Sequence, residues 1–126
     1  MTPFGTRVRA LRKRQGLTLS RMAADLQLTP AYLSALEHGH RSRPGWSLVQ
    51  QIIDYFNLIW EDADDLRELA RMSHPRVVID TAGLSAKATL LANRLAAEIA
   101  EADDAVLEEV LAVLDRRAAK DGTDAA

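Results

Sequence analysis

The sequence predicts an all-α fold, and two observations favour this class. Apolar residues recur at helical spacing along almost the whole chain of 126 residues, and no alternating β-type pattern exceeds a few residues. With 48% hydrophobic residues, the chain is long enough for one compact core and a small second module. We therefore expect a helical N-terminal domain over residues 1–73, a connector over 74–83, a helical module over 84–119 and a disordered tail over 120–126.

End signals define the first three helices. Thr18 is the expected N-cap of the second helix and Thr29 that of the third. Pro30 occupies the first helical position, where its missing N–H is not needed. Gly16 and Gly39 end the first and third helices. The expected inward-facing residues are Phe4, Val8, Leu11, Met22, Ala23, Leu26, Leu33 and Leu36.

Two more helices follow, over residues 47–56 and 61–72. Four acidic residues between Glu61 and Asp65 lie in the first turn of the fifth helix, where carboxylates favour the positive end of the helix dipole. A cation site is the alternative interpretation. Trp46 and Trp60, which flank the fourth helix, are expected in the core.

Pro75 marks a boundary, because proline disfavours helix in the residue before it. Residues 76–80 form a short β-prone connector that is too brief to make a sheet by itself. Two helices are expected after it, over 85–102 and 104–119, with Asp103 and Asp104 supplying the turn and an N-cap between them.

The aliphatic seams of these last two helices are too large for one hairpin to bury. We expect a second copy of the chain to cover them, and packing back onto the first domain is the alternative. Each buried Leu, Ile or Val would contribute about 1.5–3 kcal/mol before the loss of entropy is subtracted. The expected dimer interface consists of Leu91, Leu95, Ile99, Leu107, Val110, Leu111 and Leu114.

The formal net charge of −2 conceals a division along the chain. Residues 1–45 carry eight basic and two acidic side chains, a net charge of +6, and the other 81 residues carry a net charge of −8. This asymmetry predicts a basic surface for a polyanion such as nucleic acid, with a merely solvated helix face as the alternative.

Several functional classes find no support in the sequence. There are no cysteines, which excludes disulfides and thiolate chemistry. No 18-residue apolar run and no secretory signal occur, so we expect a cytoplasmic protein without a membrane partner. The serines lack the context of a nucleophile and no glycine-rich phosphate loop is present, so no catalytic residue, metal or cofactor is expected. His38 and His40 form an alternate pair that hints at a metal site, but no third ligand lies nearby in the sequence.

The order of these features resembles the lambda-repressor-like (Cro/CI, XRE) helix-turn-helix family. The resemblance covers roughly residues 4–60. It rests on Gly16-Leu17-Thr18, Met22-Ala23, Leu28-Thr29, Leu33, Leu36-Glu37-His38-Gly39 and Arg43-Pro44. It implies a five-helix DNA-binding domain, followed here by a two-helix dimerisation hairpin, in a bacterial or phage regulator associated with the nucleoid.

The resemblance also implies roles for individual residues. The third helix would be the recognition helix in the major groove, and Arg12 would pair with Glu37 as a structural tie. For Tyr32, packing on the helix surface is the alternative to DNA contact. The residues expected to face bases are Thr29, Pro30, Ala31, Tyr32, Ser34 and Ala35; those expected near phosphates are Leu19, Ser20, Arg21, His40, Arg41 and Arg43.

Three features depart from the family pattern, two of them single residues and one the composition of the third helix. Leu19 stands where the family often has Gln, and Gln27 stands in the turn where Gly is common, at a cost of roughly 1 kcal/mol for a left-handed conformation. The recognition helix also lacks the Gln, Asn or Arg that usually read bases, which favours readout by methyl groups, hydroxyls and DNA shape.

The expected function is sequence-specific DNA binding by a dimeric repressor on an inverted-repeat operator. One alternative is an antitoxin-type protein that binds a toxin partner through its C-terminal helices and autoregulates through its N-terminal domain. A second alternative is an activator whose acidic fifth helix contacts RNA polymerase. A third is a metal-dependent enzyme that uses the acidic cluster at Glu61 to Asp65.

Overall fold

The computed structural model describes the backbone of residues 1–125 and the side chains of residues 1–121. All regular secondary structure in the described chain is helical, which confirms the predicted all-α class. It divides into two compact units, Met1–Val78 and Ile79–Ala126, within the segment predicted as a connector. The helices are α1 Pro3–Arg14, α2 Leu19–Asp25, α3 Pro30–Glu37, α4 Trp46–Tyr55, α5 Trp60–Arg71, α6 Ala86–Glu98 and α7 Asp104–Ala125, with a 3-10 turn at Ile99–Glu101.

Side-chain caps begin the helices where the sequence predicts them. The hydroxyl of Thr18 accepts from the Arg21 N–H at 3.0 Å, and that of Thr29 accepts from the Tyr32 N–H at 3.1 Å. Each cap satisfies one of the N–H groups that have no partner inside the helix. Just after the C-terminal ends of α1 and α3, Gly16 and Gly39 have φ of +67° and +80°, as a left-handed cap requires.

The first unit has a closed apolar core. Helix α1 packs against α3 and α5, while α2 packs against α3 and α4 against α5. Seven of the eight predicted inward residues of the first three helices are buried, and Leu26 is half-buried. The core consists of Phe4, Val8, Leu11, Met22, Ala23, Leu33, Leu36, Val49, Ile52, Ile53, Phe56, Ala63, Leu66 and Ala70.

The prediction that Trp46 and Trp60 belong to the core is wrong, because they are 75% and 82% exposed. Each is the first residue of its helix. Side chains on a helix lean towards its N-terminus, so a side chain at the first position extends past the helix end and away from the packed face. Trp46 instead lines an open groove beside α5, together with Arg67 and Arg71.

The second unit contains two helices and no buried side chain among its described residues, 79–121. Helix α6 ends at Glu98, earlier than the predicted residue 102, and Ile99–Glu101 form the 3-10 turn. Asp103 caps α7 as predicted, accepting from the Val106 N–H at 3.0 Å. The predicted tail over 120–126 is helical as far as Ala125, because the chain past Ala119 has no helix-ending proline and continues the ladder of α7; residue 126 lies outside the described chain.

No helix in the described part of the chain combines the length and the apolar composition needed to cross a membrane.

Candidate nucleic-acid interface

Helices α2 and α3 and the turn between them form a helix-turn-helix. Their contact is close because Ala23 and Leu33, both fully buried, bring the two helix faces together. The Leu28 N–H donates to the Ala23 carbonyl at 2.8 Å and closes the turn after α2. The start of α3 is therefore held by hydrogen bonds within the motif and by burial of its inner side chains.

Gln27 adopts the left-handed conformation that the turn requires, with a φ of 59°. Glycine reaches this region without strain, whereas a residue with a Cβ is destabilised by roughly 1 kcal/mol. The Gln27 N–H donates to the Ala24 carbonyl at 3.1 Å, which holds the backbone in this conformation. The departure from glycine therefore leaves the turn geometry intact.

Helix α3 has one anchored face and one open face. Leu33, Leu36 and Glu37 are buried on the anchored face. On the other side, the residues predicted to face bases are exposed or half-buried. Thr29, Pro30 and Ala31 are exposed, and Tyr32, Ser34 and Ala35 are half-buried. The open face presents small side chains and one aromatic ring.

The end of α3 is tied to α1 by a buried ion pair between Arg12 and Glu37. Their side chains are only 8% and 2% exposed, and Arg12 donates from both terminal nitrogens to the two carboxylate oxygens. Such a bidentate pair fixes the relative position of two helices, because either charge left alone in the core would be strongly destabilising.

Two further contacts at this junction were not predicted. The Thr2 N–H donates to the Glu37 carbonyl at 2.9 Å. Gly5 lies so close to the end of α3 that a Cβ there would be 2.7 Å from the Glu37 Cα. Because both contacts join residues more than thirty positions apart, no local pattern announces them. Together with the ion pair, they fix the end of α3 to the core.

The loop after α3 carries basic side chains next to the open face. The guanidinium of Arg41 lies 5.4 Å from the centre of the Tyr32 ring, within the range of a cation–π interaction. The rings of His38 and His40 are stacked with their centres 6.4 Å apart. Arg41, Arg43 and His40 are exposed, whereas Pro44 is buried and anchors the loop. Tyr32 is thus half-buried against the core, with Arg41 over its ring.

At the start of α2, Ser20 and Arg21 are exposed and Leu19 is half-buried. Arg21 is not free: its Nε donates to Asp25 at 3.1 Å. Asp25 also accepts from the Tyr55 hydroxyl at 2.7 Å, a contact between α2 and α4 that the sequence analysis missed. The hydrogen bond from Tyr55, and then that from Arg21, lower the pKa of Asp25. Burial, and then the contact with Asp25, raise the pKa of Tyr55.

Ser73 is a second polar residue that sequence reasoning missed. It is 3% exposed, accepts from the Phe4 N–H at 2.9 Å and donates to the Leu69 carbonyl at 2.5 Å. It therefore joins the start of α1 to the end of α5. A serine just after a helix carries no signal for such a role, since serine is common in loops.

Within the described side chains, no group of three or more His, Asp or Glu residues is arranged to hold a metal ion. Among the acidic residues at the start of α5, Asp64 forms an ion pair with Arg67 at 2.8 Å. Glu61 and Asp62 lie in the first turn, at the positive end of the helix dipole.

Comparison with known proteins agrees with this geometry. A family model described as a helix-turn-helix domain matches residues 3–69, and no curated protein and no solved structure matches the chain. The match covers α1 to most of α5, including α2, the turn and α3. Proteins of such families bind DNA and are typically not enzymes. With more than half of its residues inside that match, the chain belongs to the helix-turn-helix domain family and is compatible with its lambda-repressor-like branch.

Proposed function

We propose that this protein represses transcription as a dimer that binds an inverted-repeat operator through the major groove and occludes the promoter. The observation that carries the proposal is the open face of α3, which leaves Thr29, Pro30 and Ala31 exposed while the helix is anchored from behind. An anchored helix with small outward side chains fits the major groove, which is roughly 12 Å wide.

Readout in this proposal depends on apolar and hydroxyl contacts. Ala31 and Ala35 offer methyl groups to thymine methyls, and Ser34 offers a hydroxyl that donates or accepts. Tyr32 reaches the edge of the groove while Arg41 lies over its ring. Without a bidentate Arg, Asn or Gln on α3, the sequence-dependent shape of the DNA contributes a larger share of specificity.

Affinity in this proposal comes mainly from phosphates. The exposed side chains of His40, Arg41 and Arg43 follow the recognition helix, and Ser20 and Arg21 lie at the start of α2. Each phosphate that is neutralised releases condensed counterions, so binding weakens steeply as salt is raised. The acidic second unit limits unspecific binding to other polyanions.

The dimer in this proposal forms through the second unit. Five of the seven residues expected in the interface are exposed in the single chain, and Leu95 and Leu107 are half-buried. Leu91, Ile99, Leu111 and Leu114 are each more than 50% exposed. Apolar surface of this extent on a small module favours association with a second copy. Two recognition helices related by a two-fold axis then match two half-sites.

Substitution of Ala31 tests the role of α3. We expect Ala31→Glu to weaken binding to a duplex selected from random sequences by at least about tenfold, since a carboxylate facing base edges is repelled by the phosphates. The matched control is Ala10→Glu, the same change at an exposed position of α1. Fluorescence anisotropy at several salt concentrations measures both. Equal affinity of the two variants would place the readout elsewhere.

The exposed apolar face of the second unit also favours a second candidate, an antitoxin-type protein whose C-terminal helices bind a toxin. The two candidates differ in the state of the purified chain. A repressor dimer sediments as a dimer by itself, whereas a protein awaiting a different partner stays monomeric at micromolar concentration.

A further inference from the structure

The segment that joins the two units presents unused strand-forming residues. Val77, Val78 and Ile79 are 69%, 87% and 57% exposed. Within the described chain, none of the three belongs to a helix, strand or turn, and none has a hydrogen bond. β-Branched residues favour the extended conformation, and free N–H and C=O groups on such a segment pair readily with another strand.

The charges at the two ends of this segment are complementary under two-fold symmetry. Arg76 precedes the three apolar residues and Asp80 follows them. When two antiparallel copies pair with Val78 opposite Val78, each Arg76 faces the partner's Asp80. A shift by one residue in either direction separates these charges. Pro75 has no N–H to donate, so it ends the pairing at Arg76.

We propose that residues 76–80 pair antiparallel with the same segment of a second copy, forming a two-stranded ribbon whose two-fold axis passes beside Val78. This inference rests on the proposed function, which requires a dimer. A two-stranded ribbon alone is marginally stable in water, so the ribbon sets the register of the dimer while the helices of the second unit supply most of the buried surface.

The carboxylate of Asp80 is suitably placed for this role. One oxygen, Oδ1, accepts from the Ala82 N–H at 2.9 Å, which fixes the side chain at the end of the segment. No hydrogen bond to Oδ2 occurs among the described residues. Arg76 has no ion pair among them either, so both members of the cross-strand pair are available.

Cysteine cross-linking tests the register, because the chain has no cysteine of its own. In the proposed ribbon, the two Cα atoms at position 78 lie about 4.5–5.5 Å apart, within the range of a disulfide. The two copies of position 77, or of position 79, are offset by two residues and lie about 8 Å apart, beyond that range. We expect Val78→Cys to form a disulfide-linked dimer under mild oxidation, and Val77→Cys or Ile79→Cys to do so only when the two are mixed.

Charge exchange supplies a second test, in which the two variants to be compared both lack the Asp80 carboxylate that accepts from Ala82. Asp80→Arg removes the acceptor for Ala82 and places Arg opposite Arg in the ribbon. Arg76→Asp combined with Asp80→Arg also lacks the acceptor, but it restores opposite charges. We expect the combined variant to dimerise about tenfold more tightly than Asp80→Arg alone, as measured by sedimentation equilibrium.

The outcomes separate this inference from the proposed function. If the unmodified chain is monomeric at all accessible concentrations, the proposed dimeric repressor fails and the ribbon fails with it. If the chain is dimeric but the Val78→Cys variant cross-links no faster than Val77→Cys or Ile79→Cys alone, only the ribbon is overturned. Equal affinity of the two charge variants overturns it as well.

Discussion

The two units differ in how far they bury their apolar side chains. The first unit, Met1–Val78, buries fourteen apolar side chains and two members of an ion pair around a single core. The second unit has no buried side chain among its described residues, 79–121. After Ile79, nine large apolar residues in this range are each more than a third exposed. The first unit therefore has a closed core of its own, whereas the apolar side chains of the second stay exposed in the single chain, which is why we propose that it associates with a second copy.

The largest effect is expected from a substitution in the core of the first unit. Glu37→Ala leaves the guanidinium of Arg12 buried without a counter-charge, and we expect the free energy of unfolding to fall by about 3–5 kcal/mol. Denaturant titration followed by circular dichroism measures this loss. The matched control is Glu68→Ala, which removes an exposed ion pair with Arg71 and should change little because solvent screens that pair. Similar losses in both variants would contradict a special role for the buried pair.

The next largest effect is expected from a substitution in the proposed dimer interface of the second unit. We expect Leu111→Glu to convert the dimer to monomers, because a carboxylate in an apolar interface is poorly solvated. The first unit should remain folded, so the loss appears in sedimentation and in weaker operator binding rather than in unfolding of the core. Val113→Glu is the matched control, since Val113 is 54% exposed, Leu111 is 59% exposed, and the two lie on different faces of α7. Dissociation by the control alone would move the interface to the other face.

The smallest effect is expected from a substitution at the contact between α2 and α4. Tyr55→Phe removes the hydroxyl that donates to Asp25, so the pKa of Asp25 should rise towards its usual value of 3.8. A carboxyl with a lowered pKa in the folded state contributes stability at pH values above its unfolded pKa. This contribution is lost as the pH falls through the folded pKa, so the two proteins should differ least in strong acid. NMR titration of the Asp25 carboxyl measures the shift, and an unchanged pKa would show that Arg21 alone causes it.

Features with local causes were predicted well from the sequence. Thr18 and Thr29 cap helices as expected, and Gly16 and Gly39 end them, because a cap is decided by residues three or four positions apart. The helix-turn-helix itself follows from the order of such caps and of the buried residues between them. The DNA contacts inferred for α3 and its flanking loops stay predictions until binding is measured.

Among the features that depend on distant contacts, the Arg12–Glu37 pair was implied by the family resemblance, and the others were not predicted. The exposure of Trp46 and Trp60 follows from their positions at helix starts relative to the packed face, which composition does not reveal. Gly5, Ser73 and the pair of Asp25 with Tyr55 each join elements that are at least thirty residues apart. Their residue types are ordinary in the sequence, and only packing gives them a role.

The sequence by itself determined the all-α class, the order of the helices, their caps and the division into a basic N-terminal and an acidic C-terminal part. These properties depend on periodicity, end signals and charge, all of which act over a few residues or simply add up. Tertiary structure decided which face of α3 stays open, how Arg12 and Glu37 hold its end, and which apolar residues remain uncovered. Those properties arise where separate helices meet, and burial depends on every element that packs against a side chain.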